Sequence, residues 1–182
     1  MDKDAILLFF ERLDQELSKP TMLYLYGSAV VIIFDAPGRT SMDIDVAGPY
    51  SSGNMREIIA AIERAGLPVN PDIAFVGHHV EWVGPLRLCL PTPKDTNYGI
   101  VLWQGEHLTV RTGTIADLVA SKLIRYDEID RGDIQHLFAQ YRFSIAQVQD
   151  AVERLPHPFT HDTVVRENLE NLRSDIELWD GV

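Results

Sequence analysis

Leu25-Tyr26-Gly27-Ser28, followed after a short spacer by Arg39-Thr40-Ser41-Met42-Asp43-Ile44-Asp45, is the stretch whose reading decides the fold. Gly27 permits a tight backbone turn after an apolar strand, and Ser28 then opens a helix whose N–H groups can hold phosphate oxygens. On a strand, residues i and i+2 share one face roughly 6–7 Å apart, so Asp43 and Asp45 present two carboxylates side by side while Ile44 and Val46 face the core. Carboxylates that close repel one another unless a cation compensates. Mg²⁺ suits them, because it takes oxygen ligands and commonly completes its shell with substrate phosphates. A metal so held can clamp a triphosphate and activate a hydroxyl for in-line attack. A plainer reading uses the same residues: a Gly-Ser turn, Ser28 as a helix N-cap, and a solvated Asp-x-Asp strand edge.

Upstream, the first 18 residues read as an amphipathic helix, with Ile6, Phe9, Phe10, Leu13 and Leu17 at helical spacing and Lys19-Pro20 as its stop. Thr21–Tyr26 reads as a strand, and by β-branched content alone so does Ala29–Phe34. Residues 35–40 form a turn-rich loop, 43–46 a strand, and 53–66 a helix ended by Gly66 and Pro68. Downstream lie short β-runs at 72–76, 79–83, 86–90, 99–103 and 107–111. From Thr114 the pattern turns helical through Leu118, Val119, Lys122 and Leu123. A second helix is expected to start near Asp133, with Ile134, Leu137, Phe138 and Tyr141 on one face. A third, capped by Ser144, runs to Leu155 before Pro156-His157-Pro158, and a last one covers 160–179. The expected architecture is α+β: a mixed sheet flanked by helices over residues 1–112, and a helical C-terminal region over 113–182.

The 182 residues carry 16 Lys and Arg against 27 Asp and Glu, a net charge of −11, which weighs against a broad basic surface for nucleic acid. No third of the chain is basic, and the largest acidic excess lies in residues 121–182. A single cysteine, Cys89, excludes an internal disulfide framework and a multi-cysteine zinc site. No apolar run approaches the roughly 18 residues of a membrane span, and the start MDKDAILLFFERLD interrupts any signal core with charge. A soluble, cytoplasmic protein with no membrane partner is the expectation.

The quoted motif resembles the signature of the polymerase-β-like nucleotidyltransferase superfamily: a hydrophobic strand, Gly-Ser, a spacer, then Asp-hydrophobic-Asp. Its Arg-Thr-Ser-x-Asp-x-Asp form is similar to the branch containing abortive-infection toxins of the AbiEii type and related bacterial proteins. In that branch the Gly-Ser opens a short helix, which overrules the strand reading of residues 29–34. Ile115-Ala116-Asp117-Leu118-Val119-Ala120-Ser121-Lys122-Leu123, with Arg131-Gly132-Asp133-Ile134 after it, is similar to the second half of the same branch. Gly132 departs from the lysine often found before the late aspartate.

The resemblance implies an enzyme that uses one or two Mg²⁺ ions to transfer an NMP from an NTP, releasing pyrophosphate. Asp43 and Asp45 would ligate metal, and Gly27 and Ser28 would hold phosphates. Arg39 and Ser41 would support nucleotide or metal. Lys122 would neutralise charge on phosphate, and Asp133 would act as base or orienting carboxylate; the plain alternatives are an exposed helix lysine and an N-cap. Many relatives use a third carboxylate on a later strand. Asp72 and Glu81 qualify, and Glu81 is preferred because Val80 and Trp82 flank it in an alternating run; failing both, Asp133 fills the place.

The implied setting is a bacterial toxin–antitoxin or phage-defence module, with tRNA, another RNA or a protein as acceptor and a cognate antitoxin as partner. Two rivals share the motif: a transferase that modifies aminoglycoside or lincosamide antibiotics, and a degenerate domain that binds nucleotide or partner without turnover. Zinc is set aside, since His78 and His79 are adjacent and Pro158 lies between His157 and His161. Cys89, between Leu88 and Leu90, reads as a structural thiol in an apolar strand.

Overall fold

The computed structural model describes residues 1–180. Their elements, in chain order, are α1 (Lys3–Glu16), β1 (Thr21–Tyr26), α2 (Ser28–Ile33), β2 (Asp43–Ala47), α3 (Met55–Arg64), β3 (His79–Val83), β4 (Ile100–Gln104), β5 (Leu108–Thr112), α4 (Ile115–Lys122), α5 (Glu128–Tyr141), α6 (Ile145–Val152) and α7 (Thr163–Asp180). The fold is α+β, with a five-stranded mixed sheet flanked by helices and a helical C-terminal region. The chain divides into two compact units: Met1–Leu88 with Gly99–Thr112, and Cys89–Tyr98 with the chain from Gly113 onward.

The first unit contains the sheet, in the order β3-β2-β1-β5-β4. β1 runs parallel to β5 and antiparallel to β2, β2 runs parallel to β3, and β4 and β5 form an antiparallel hairpin. The parallel β2–β3 pair needs a crossover, which α3 supplies. Asn54 caps α3 by accepting from the N–H groups of Arg56 and Glu57. α1 buries Ile6, Phe9, Phe10 and Leu13, the stripe that the sequence spacing marks; full burial of each such side chain contributes about 1.5–3 kcal/mol. Asp14 on the same helix accepts from the backbone N–H groups of Glu106, His107 and Leu108 at 3.0, 2.8 and 2.7 Å, tying α1 to the β4–β5 turn. Burial pushes the Asp14 carboxyl up, but the three backbone donors outweigh it and hold it below the ordinary carboxylate range.

Residues 28–33 are helical despite their β-branched content. Ala29 to Ile33 are all buried, so this short helix is apolar all round, and tertiary burial overrides local β propensity. The expected strands at 72–76 and 86–90 do not form. Asp72 instead accepts from the Ala74 N–H at 2.9 Å, an Asx turn, and Gly84-Pro85 starts a turn closed by Arg87 N–H to Gly84 O at 3.1 Å. Cys89 is therefore in no strand, and it is half-buried.

In the second unit Thr114 and Asp117 form a reciprocal capping box at the start of α4. Arg154 gathers the segment 89–98 onto these helices. Its guanidinium donates to Asp117 Oδ1 at 2.6 Å and to the Thr92 carbonyl at 2.9 Å, and it lies 5.3 Å from the centre of the Tyr98 ring. The helix expected to start near Asp133 begins one and a half turns earlier. Asp127 is its N-cap, accepting from Asp130 N–H at 2.9 Å, so Asp133 is an interior, buried residue of α5 rather than a cap. α6 ends at Val152, short of Leu155. No helix among the described residues is long and apolar enough to cross a membrane.

Candidate active site

Asp43 and Asp45 lie two apart on β2, half-buried on one face, with Ile44 and Val46 buried behind them, as strict alternation requires. β3 pairs with β2 in parallel register, and Glu81 is the direct partner of Asp45. One ligand oxygen from each of Asp43, Asp45 and Glu81 lies within 4.8 Å of the others. Glu81 thus joins Asp43 and Asp45 in one acidic cluster, whereas Asp72 is exposed and bonded within its own turn. Among the described residues this is the one cluster of three metal-ligating side chains, and neither histidine nor Cys89 takes part.

The surroundings orient the acids. Ser41, 7% exposed, donates its hydroxyl to Asp43 Oδ1 at 2.9 Å. Gly27 caps α2 with φ +76°, and a Cβ placed on it would lie 2.1 Å from Asp45 Oδ2. The close approach follows from the antiparallel register, in which Tyr26 faces Asp45. Ser28 opens α2, and Arg39 reaches its hydroxyl at 3.5 Å, a long contact. Gly27, Ser28, Arg39, Ser41, Asp43, Asp45 and Glu81 all belong to the first unit.

Mutual repulsion between two carboxylates about 5 Å apart is on the order of 1–3 kcal/mol at effective dielectrics between those of a protein surface and water. An all-oxygen, anionic donor set of this kind suits a hard divalent cation better than the softer, nitrogen- and sulfur-seeking zinc. Arg87, which the sequence did not single out, already provides one positive charge. Its guanidinium donates to Glu81 Oε1, with the arginine side chain 73% exposed and the glutamate 24%. The Gly84-Pro85 turn folds the chain back to make that contact, and those two residues were the only signal for it in the sequence.

Lys122 and Asp133 lie in the second unit, where they bond each other. The Lys122 ammonium, 7% exposed, donates to Asp133 Oδ2 at 2.8 Å and to Asp130 Oδ1 at 3.0 Å. Arg125 forks onto Asp130 at 2.9 and 3.1 Å. Burial pushes the Asp130 carboxyl up, but the guanidinium of Arg125 and the ammonium of Lys122 hold it below its ordinary range. Asp130 lies one helical turn before Asp133, and the chain pattern hides it by placing the start of α5 after it. Gly132, the departure from the motif, faces open space: a Cβ there meets nothing within 4 Å.

Over residues 5–154 the chain matches the family described as "Nucleotidyltransferase of unknown function (DUF6036)", and it belongs to that family. Comparisons with curated proteins and with solved structures give no match.

Proposed function

We propose that this protein is a Mg²⁺-dependent nucleotidyltransferase that moves an NMP from an NTP to an RNA or protein acceptor. The observation that carries the reading is the Asp43–Asp45–Glu81 cluster beside the Gly27-Ser28 turn. Asp43, Asp45 and Glu81 would hold one or two Mg²⁺ ions, which, when bound, neutralise the triphosphate and lower the pKa of the attacking hydroxyl. Ser41 fixes the rotamer of Asp43 through its hydrogen bond. Gly27 keeps the space around Asp45 open, and with Ser28 forms the phosphate-binding turn. Arg39 supports that turn from the side. A new P–O bond forms at the α-phosphorus as the α–β bridge breaks, and pyrophosphate leaves. In such a reaction positioning and electrostatics supply most of the acceleration.

The Arg39-Thr40-Ser41-x-Asp43-x-Asp45 form, similar to the AbiEii-type branch, supports a cytoplasmic toxin or phage-defence role, with a cognate antitoxin as partner. The same resemblance assigns Lys122 and Asp133 to the reaction. The test is incubation of the wild-type protein and Asp43→Ala with each labelled NTP, Mg²⁺, and total tRNA or cell lysate. Label transfer by wild type alone is the expected result. No transfer to any acceptor overturns the enzymatic reading, and normal growth on overexpression overturns the toxin role.

A further inference from the structure

We infer that Arg87 sets the metal affinity of the acidic cluster by competing with the divalent cation for Glu81, an inference that rests on the metal-binding reading above. Glu81 has two tasks that one carboxylate does not perform equally well at once. It stands in register with Asp45, completing the trio of oxygens within 4.8 Å, and its Oε1 accepts from the Arg87 guanidinium. A dication drawn to Asp43 and Asp45 meets a third ligand already neutralised by a positive charge. Either Arg87 leaves Glu81 or it stays and repels the metal; in both cases binding is weakened.

Arg87 is suited to leaving. Its side chain is 73% exposed on the turn that begins at Gly84-Pro85, so its contact with Glu81 is open to solvent. An ion pair with one solvent-exposed partner contributes little, so the contact can be displaced by a ligand that offers more. An incoming triphosphate is such a ligand, since a guanidinium released from Glu81 binds phosphate oxygens in the same forked manner. Nucleotide and metal then bind with positive coupling: the phosphates draw off Arg87, and Glu81 becomes available to the metal. The cluster thereby stays weakly loaded until the anionic substrate arrives.

The test titrates Mn²⁺ into the full chain, reading free Mn²⁺ by electron paramagnetic resonance, with and without a non-hydrolysable NTP analogue. Arg87→Ala is expected to tighten Mn²⁺ binding about three- to tenfold at low salt, the scale of one exposed charge competing for a ligand. That gain should shrink at high ionic strength, be absent in the Arg87→Ala/Glu81→Gln double variant, and be small in Arg87→Lys. The analogue should tighten Mn²⁺ binding more in wild type than in Arg87→Ala. Unchanged or weaker Mn²⁺ binding by Arg87→Ala, with wild-type binding still dependent on Asp43 and Asp45, overturns the competition and leaves the metal site standing. Mn²⁺ binding indifferent to Asp43→Asn and Asp45→Asn overturns the metal site itself. Thermal melting shows whether each variant is folded.

Discussion

Gly27 and Asp45 divide a single space: a Cβ on Gly27 would lie 2.1 Å from Asp45 Oδ2, and the glycine holds φ at +76°. Both facts resist substitution. Gly27→Ala is expected to cost about 1–3 kcal/mol from the left-handed backbone alone, and to displace the Asp45 carboxylate besides. Chemical denaturation will read the first effect. A Mn²⁺ titration will read the second as weaker binding, and unchanged metal affinity would contradict the placement of Asp45 at the site.

Asp45→Asn should separate stability from activity. It removes one of three mutually repelling carboxylates, so the melting temperature is expected to hold or rise by up to about 3 °C, the equivalent of about 1 kcal/mol for a domain of this size. On the metal-binding proposal, NMP transfer should fall by about 100-fold or more, because the proposed ligand and its electrostatic stabilisation are lost together. A clear drop in melting temperature would mean that Asp45 is a structural residue.

Lys122 is buried between Asp130 and Asp133, and its removal takes a buried cation from both carboxylates, leaving Arg125 on Asp130. Lys122→Met is expected to destabilise the protein by about 3–5 kcal/mol, and adding Asp130→Asn and Asp133→Asn should restore much of that loss. Urea unfolding of the single and triple variants makes the comparison. A restored fold that still lacks transferase activity would assign the Lys122–Asp130–Asp133 group, taken together, to the reaction as well as to the fold.

Acid sensitivity is expected at the α1–hairpin junction. The folded Asp14 carboxyl titrates below its ordinary value of 3.8, because three backbone donors outweigh its burial. Its contribution to stability is therefore complete above about pH 4 and is lost as the pH falls through the depressed folded value. Asp14→Ala leaves those N–H groups without their acceptor, a cost of about 1–3 kcal/mol at neutral pH. The variant should show a flatter loss of stability than wild type in denaturant titrations between pH 5 and pH 2.

Gly132 is an exposed helix-interior glycine whose missing side chain would point into open space. Gly132→Ala should stabilise the protein by about 0.5–1 kcal/mol, or roughly 1–4 °C in melting temperature. A lower melting temperature would show that the conformation at this position is not that of an ordinary helix.

The sequence by itself determined the local parts. Spacing put Asp43 and Asp45 on one face of a strand, since alternation is a property of the extended backbone. It marked Ile6, Phe9, Phe10 and Leu13 as one helical stripe, and Gly27 as a turn. The chain pattern misread residues 72–76 and 86–90 as strands and residues 29–34, on propensity alone, as another. Short apolar runs look alike whether they end in a sheet, a turn or a buried helix, and burial decides among them. What only the tertiary structure decided was non-local. The register of β3 against β2 sets Glu81 opposite Asp45 across a connection of more than thirty residues, and a one-residue slip would have turned Glu81 to the other face. The fold-back at Gly84-Pro85 delivered Arg87 to that carboxylate, and the true start of α5 turned Asp133 from an expected cap into a buried partner of Lys122. Alternation and helical spacing repeat within a few residues and can be read from the chain; register and ion pairing depend on which distant segments meet.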